Sequence, residues 1–152
     1  TPIPGSNEKA VEKTVRLWAT LGMEVTTTSP EAHDEIVAHI SHLPHFLASA
    51  LCASLARKNP DWRHFAGSGL RDTTRVAAGD PAMWKAIAVH NREEILRALT
   101  HFESEIQRLR SCLHDERWFE LTNLLEAGKA YRDSLSISRM AHSACSRTSS
   151  SP

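Results

Sequence analysis

The chain has 152 residues, 41% hydrophobic and 24% charged, with 18 Lys and Arg balanced by 18 Asp and Glu. That length suits one domain with a core and is short for two, and the composition excludes global disorder. Zero net charge excludes a one-sign field for nucleic acid or an anionic membrane, no apolar run nears the roughly 20 residues of a bilayer span, and the first residues lack a signal-peptide pattern.

Thr1 to Gly5 reads as an extended connector, because Pro2 and Pro4 push the residues before them out of the helical region. Ser6 is then a candidate cap for a helix with Val11, Val15 and Trp18 on one face, ended by Gly22. Met23 to Thr28 is β-branched and amounts to one short strand at most. Ser29-Pro30-Glu31 opens a second helix with cap, proline and acid in order. Pro44 interrupts that helix, and its ring would clash with the carbonyl of Ile40, so a kink or break is expected near Ser41 to Pro44. Asp61 is placed to cap a short helix after Asn59-Pro60, Leu70 to Ala78 reads as another, and Asp80-Pro81 starts the next. Ile95, Leu99, Phe102, Ile106, Leu109 and Leu113 alternate four and three apart, a heptad seam that serves either ordinary bundle core or dimerisation. A last helix is expected from about Asp115, and from about Ser134 the periodicity fades into a Ser-rich tail expected to be disordered. The pattern predicts an all-α domain.

Some chemistries are missing from the sequence. Six glycines give one close pair, Gly67-Ser68-Gly69, with neither a dinucleotide fingerprint nor a phosphate loop. Cys52, Cys112 and Cys145 are odd in number and widely spaced, which indicates neither a disulfide framework nor a zinc cluster and suits a reducing, cytoplasmic setting. Nine histidines are many, and His33, His39, His42 and His45 crowd around the proline. His42 and His45 stand at HxxH spacing without an evident third ligand, so polar caps on a kinked helix, a metal pair and donors to an anion all stay open. Arg71 and Arg75 share one side of the helix behind the glycines, where a guanidinium fork suits a carboxylate; pairing with neighbouring acids is the plainer alternative.

Three strings carry a resemblance: Ser41-His42-Leu43-Pro44-His45, Gly67-Ser68-Gly69-Leu70-Arg71-Asp72-Thr73-Thr74-Arg75-Val76-Ala77, and Asp80-Pro81-Ala82-Met83-Trp84. With Leu17-Trp18, Leu21-Gly22 and Ala32-His33-Asp34 in the same order, the chain resembles the C-terminal domain of prephenate and arogenate dehydrogenases. The resemblance implies a helical bundle dimerisation domain over residues 1–133, a Ser-rich tail over 134–152, and an N-terminal Rossmann domain absent from this stretch. It implies a homodimer through the long C-terminal helices, and prephenate or arogenate as ligand. Oxidative decarboxylation would use NAD or NADP, bound mainly by the absent domain, which also supplies the catalytic histidine. By itself this chain is therefore expected to be inactive, with no catalytic residue, no cofactor site and no metal site of its own. By position in the family motifs, Arg75 would clamp a substrate carboxylate, His45 would donate to the substrate and His42 would help. Asp34, Asp72 and Trp84 would line or gate the cleft, Asp72 reaching across the dimer. Leu70 and Thr74 stand where relatives commonly carry aromatics, which loosens the pocket. The implied convergence is of His45 and Arg75 on one cavity. A stand-alone helical dimerisation or ligand-sensing module that has lost the reaction is the alternative.

Overall fold

The computed structural model describes residues 1–145, with only the helical path given for 136–145. Seven α-helices make up the described chain, and no strand occurs among those residues. They divide into two compact units, Thr1–Thr100 and His101–Pro152.

In the first unit, α1 (Glu8–Thr20) is capped by Asn7, whose side chain accepts from the Ala10 N–H; the expected cap, Ser6, instead takes the Ile3 N–H in the preceding turn. The C-terminus closes as a Schellman turn, with Gly22 N–H on the Ala19 carbonyl, Met23 N–H on that of Trp18, and Gly22 at φ 79°. Met23 to Thr28 forms no strand, for want of a partner to pair with. Ser29 caps α2 (Pro30–Val37) through the Ala32 N–H, in the expected arrangement.

Pro44 does not break the helix. A π turn over Ala38–His42 joins α2 to α3 (Leu43–Ala56), and the Leu43 N–H reaches back to the Ala38 carbonyl. The wide turn absorbs the steric conflict that a proline meets in α geometry, and Pro44 sits in the first turn of α3, where its missing N–H costs least. Against the expectation that no run nears bilayer length, the resulting helical run, Pro30–Ala56, is long and apolar enough to span a bilayer by length and composition alone. Ala38, Leu43, His45 and Ala48 are its buried residues.

After α3, Asn59 and not Asp61 caps a 3₁₀ turn over Pro60–Phe65 by accepting the Asp61 N–H. The expected helix from Leu70 to Ala78 is two pieces: α4 (Ser68–Thr74), beginning on Gly67, and a 3₁₀ turn, Arg75–Ala78. Both pieces pack on α3. Asp80 caps α5 (Pro81–His90) through the N–H groups of Ala82 and Met83, and Asn91 ends it. α6 (Arg92–His114) follows at once and buries Ile95 and Ala98.

In the second unit, α6 ends in a turn with Glu116 at φ 54°, and α7 (Trp118–Cys145) follows. α7 runs past Ser134, where the fading periodicity predicts the tail; the part of that tail beyond Cys145 lies outside the described residues. Cys112 is buried, whereas Ile106 and Leu113 of the heptad seam stay about half exposed.

Candidate functional site

The site is built where the π turn, α3 and α5 meet. α3 carries His45 inward, only 5% exposed. α5, pinned by its Asp80 cap, brings up Trp84, which lies flat on His45 with ring centroids 3.5 Å apart and planes 6° from parallel. His42 meets Trp84 edge to face at 6.2 Å, and Phe46 meets both rings of the stack edge to face at 5.9 Å. Gly79 lets the stack form: a Cβ there would lie 2.4 Å from Trp84 Nε1 and 3.0 Å from His45 Cε1.

A cavity of about 480 Å³ opens beside the stack, lined by His45, Trp84, Ser49, Cys52, Ala77 and Gly79 among others. His45 Nδ1 is buried without a hydrogen-bond partner. Such an orphan costs roughly 1–3 kcal/mol and is the kind of defect that persists at functional sites. A larger hollow of about 840 Å³, walled by Trp62, Phe65, Leu55 and Leu70, lies on the other side of Cys52, which borders both.

His42 is held from a second direction. The Asn91 amide nitrogen lies 3.2 Å from His42 Nδ1 and 2.9 Å from the Asp34 backbone oxygen. Burial holds the His42 pKa below its ordinary 6.5; the Asp34 charge opposes that shift and His33 adds to it. The Asp34 carboxylate is engaged by His33 Nδ1 at 2.9 Å.

The structure thus brings together His42, His45 and Trp84, with Asp34 behind them. Asp72 and Arg75 are not joined to this cluster by any hydrogen bond or ion pair among the described residues. Both are exposed, and the Arg75 guanidinium makes no ion pair among those residues. Arg75 opens the 3₁₀ turn whose later residues reach the cavity wall at Ala77 and Gly79, but its own side chain does not line that cavity. Sequence reasoning missed Asn91 and Gly79. An asparagine at a helix junction reads as an ordinary helix end, and the need for a bare Cα at Gly79 shows only once Trp84 is in place.

Among the described residues, no three His, Cys, Asp or Glu side chains are grouped to hold a metal ion. A dinucleotide does not fit these residues either: Gly67-Ser68-Gly69 opens a seven-residue helix with no strand before it, so the strand–turn–helix cradle is missing.

Comparison with known proteins agrees with this architecture. Residues 29–142 match the family described as prephenate dehydrogenase, dimerization domain. Prephenate dehydrogenase of Bacillus subtilis is 33% identical over 140 residues, covering 90% of this chain and 38% of that protein. The structure of prephenate dehydrogenase from A. aeolicus in complex with hydroxyphenyl propionate and NAD+ superposes with a TM-score of 0.83 at 33% identity, over 89% of this chain and 48% of that one. Arogenate dehydrogenase of Synechocystis gives 0.78 at 28% identity, over 89% and 50%. The chain spans between 30% and 40% of the length of the curated relatives it matches. With that match across most of its length, the chain belongs to the prephenate dehydrogenase dimerization-domain family.

Proposed function

We propose that this chain is the substrate-binding and dimerisation part of a cytoplasmic prephenate or arogenate dehydrogenase. The parent reaction is oxidative decarboxylation, of prephenate to 4-hydroxyphenylpyruvate or of arogenate to tyrosine. NAD or NADP serves as hydride acceptor on a nucleotide-binding domain, and this chain carries no step through it.

The observation behind this reading is the His45–Trp84 stack beside its cavity, with a buried ring nitrogen unpartnered. The A. aeolicus relative, solved with hydroxyphenyl propionate, holds a ring bearing a carboxylate. Prephenate has the same two elements, a six-membered ring and anionic carboxylates. Trp84 and His45 supply the flat wall, and the two imidazoles supply donors close to it. Arg75, exposed and unpaired at the head of the turn that runs to the cavity wall, is available to a carboxylate, and Asp34 tunes His42. Asp72, also exposed, is assigned to the partner's cleft in a dimer. Oriented binding of this kind lowers the barrier by holding the reacting carbon in place before chemistry begins.

Dimerisation is assigned to α6 and α7. Ile106, Leu113, Trp118, Phe119, Leu125 and Tyr131 are 48–78% exposed, while Cys112 is the buried apolar residue of that unit among those described. Two long helices with so much apolar surface in water call for a partner, and a second copy supplies a self-complementary one.

The test is calorimetric titration of hydroxyphenyl propionate into the chain and into Arg75→Ala. The expected loss is about 1.5–3 kcal/mol, tenfold or more in affinity, as for a hydrogen bond to a charged group. Equal affinities would remove Arg75 from the site. Prephenate turnover with NAD+ is expected only when a nucleotide-binding domain is supplied, and turnover by these 152 residues without one would contradict the proposal.

A further inference from the structure

Asn91 stands in none of the motifs that carry the family resemblance. It ends α5, is only 9% exposed, and sends its amide to the helical run that began 61 residues earlier at Pro30. Nδ2 lies 2.9 Å from the Asp34 backbone oxygen and 3.2 Å from His42 Nδ1. A backbone carbonyl can only accept, so the contact with Asp34 requires the amide nitrogen, not the amide oxygen, at that position. The nitrogen carries two hydrogens, and the second is directed to His42. A ring nitrogen that receives a hydrogen bond cannot itself hold a proton, so the proton of neutral His42 must sit on Nε2. Nε2 has no hydrogen-bond partner among the described residues.

We propose that Asn91 is a positioning residue that locks His42 in the Nε2–H tautomer, so that the imidazole offers an N–H, not a lone pair, to an anionic ligand. The choice of ligand rests on the substrate reading above; the tautomer does not. Two features make the lock effective. Burial of Asn91 keeps water from competing for its amide, and the Asp34 carbonyl anchors the amide so that it cannot flip to present oxygen. The edge-on contact with Trp84 fixes the plane of the ring. The opposite tautomer would set a nitrogen lone pair against a carboxylate and repel it.

The experiment is a long-range ¹H–¹⁵N correlation spectrum of the histidine rings in the full chain, with His42 identified by the signals lost in His42→Gln. At a pH above the His42 titration, Nδ1 is expected to resonate as an unprotonated nitrogen and Nε2 as a protonated one. The reverse pattern, or an equal mixture as in free imidazole, would overturn the proposal. Asn91→Asp, nearly isosteric, replaces the donor by an acceptor and is expected to move the proton to Nδ1 or to make His42 an imidazolium. An unchanged pattern in a folded Asn91→Asp protein would also overturn it, and if that variant does not fold the wild-type spectrum decides. Titration with hydroxyphenyl propionate separates the two readings: a folded Asn91→Asp protein is expected to bind about tenfold more weakly. Failure of the wild type to bind would defeat the substrate reading, while the ring spectra would still decide the tautomer.

Discussion

Gly79→Ala isolates the packing that holds the site together. Gly79 lies at φ −64° and ψ 155°, a conformation open to any residue, so the substitution carries no backbone strain. What it carries is a methyl group 2.4 Å from Trp84 Nε1, 2.9 Å from Trp84 Cδ1 and 3.0 Å from His45 Cε1. Neither ring can yield independently, because each lies flat against the other at 3.5 Å and Phe46 borders both. Overpacking of this kind costs about 1–3 kcal/mol, and the stiffer unfolded chain returns about 0.4–1. The expected net loss is about 1–2 kcal/mol, which at this chain length lowers Tm by roughly 3–6 °C. Thermal unfolding followed by near-ultraviolet circular dichroism measures the loss and the change at the indole together. Trp84→Phe takes away the indole nitrogen that the methyl group strikes, so the double variant is expected to recover about 1 kcal/mol of coupling energy. Wild-type stability and an unaltered aromatic signal in Gly79→Ala would refute the close approach on which the site depends.

His42 predicts a pH response of definite sign. Its folded pKa lies below the ordinary 6.5, so the unfolded chain binds more protons; its contribution is fully present above pH 6.5 and is lost as pH falls through the lower folded value. Buffer-matched denaturation curves should show this slope flatten in His42→Gln, and an equal slope in both proteins would remove His42 as its source. Asp80→Ala removes the acceptor for the Ala82 and Met83 N–H groups and is expected to destabilise by about 1 kcal/mol. It should also alter the Trp84 fluorescence, and a change in stability alone would mean that the cap does not position the ring. Phe119 is 78% exposed on α7, and Phe119→Glu, which sets a charge in that apolar surface, is expected to shift sedimentation from dimer toward monomer. An unshifted dimer would move the interface elsewhere.

Much of the fold is legible in local chemistry. Ser29 and Asp80 declare their helices because cap, proline and first turn are neighbours in sequence. The motifs around His42 and His45 and around Trp84 are likewise visible, since the residues that meet there stand in short strings. Pro44 signals the irregular turn beside it but not its form, because its clash with a carbonyl four residues back presumes α geometry and the chain escapes by widening one turn. Asn7 displaces Ser6 as a cap through a competing bond, Ser6 to the Ile3 N–H, that propensity does not rank. Arg75 shows the other limit: a motif can single out a residue, but whether its guanidinium lines a cavity is decided by packing that the motif does not specify.

The π turn and Asn91 together explain why His42 and His45 take different surroundings although only one turn of helix separates them. In an uninterrupted α-helix both imidazoles would lean toward the same face and compete for the same space. The π turn ends at His42, so the ring preceding α3 follows a wider path than the ring one turn into it. His45 goes inward to stack on Trp84, and His42 stays near the surface with its Nδ1 side turned to Asn91. Asn91 reaches it from the junction where α5 ends and α6 begins. The same amide contacts the carbonyl of Asp34, one turn before the π turn, and so ties the two sides of the widened segment together. A residue that ends one helix thus steadies the irregular turn of another, and the irregular turn lets two neighbouring histidines face different partners.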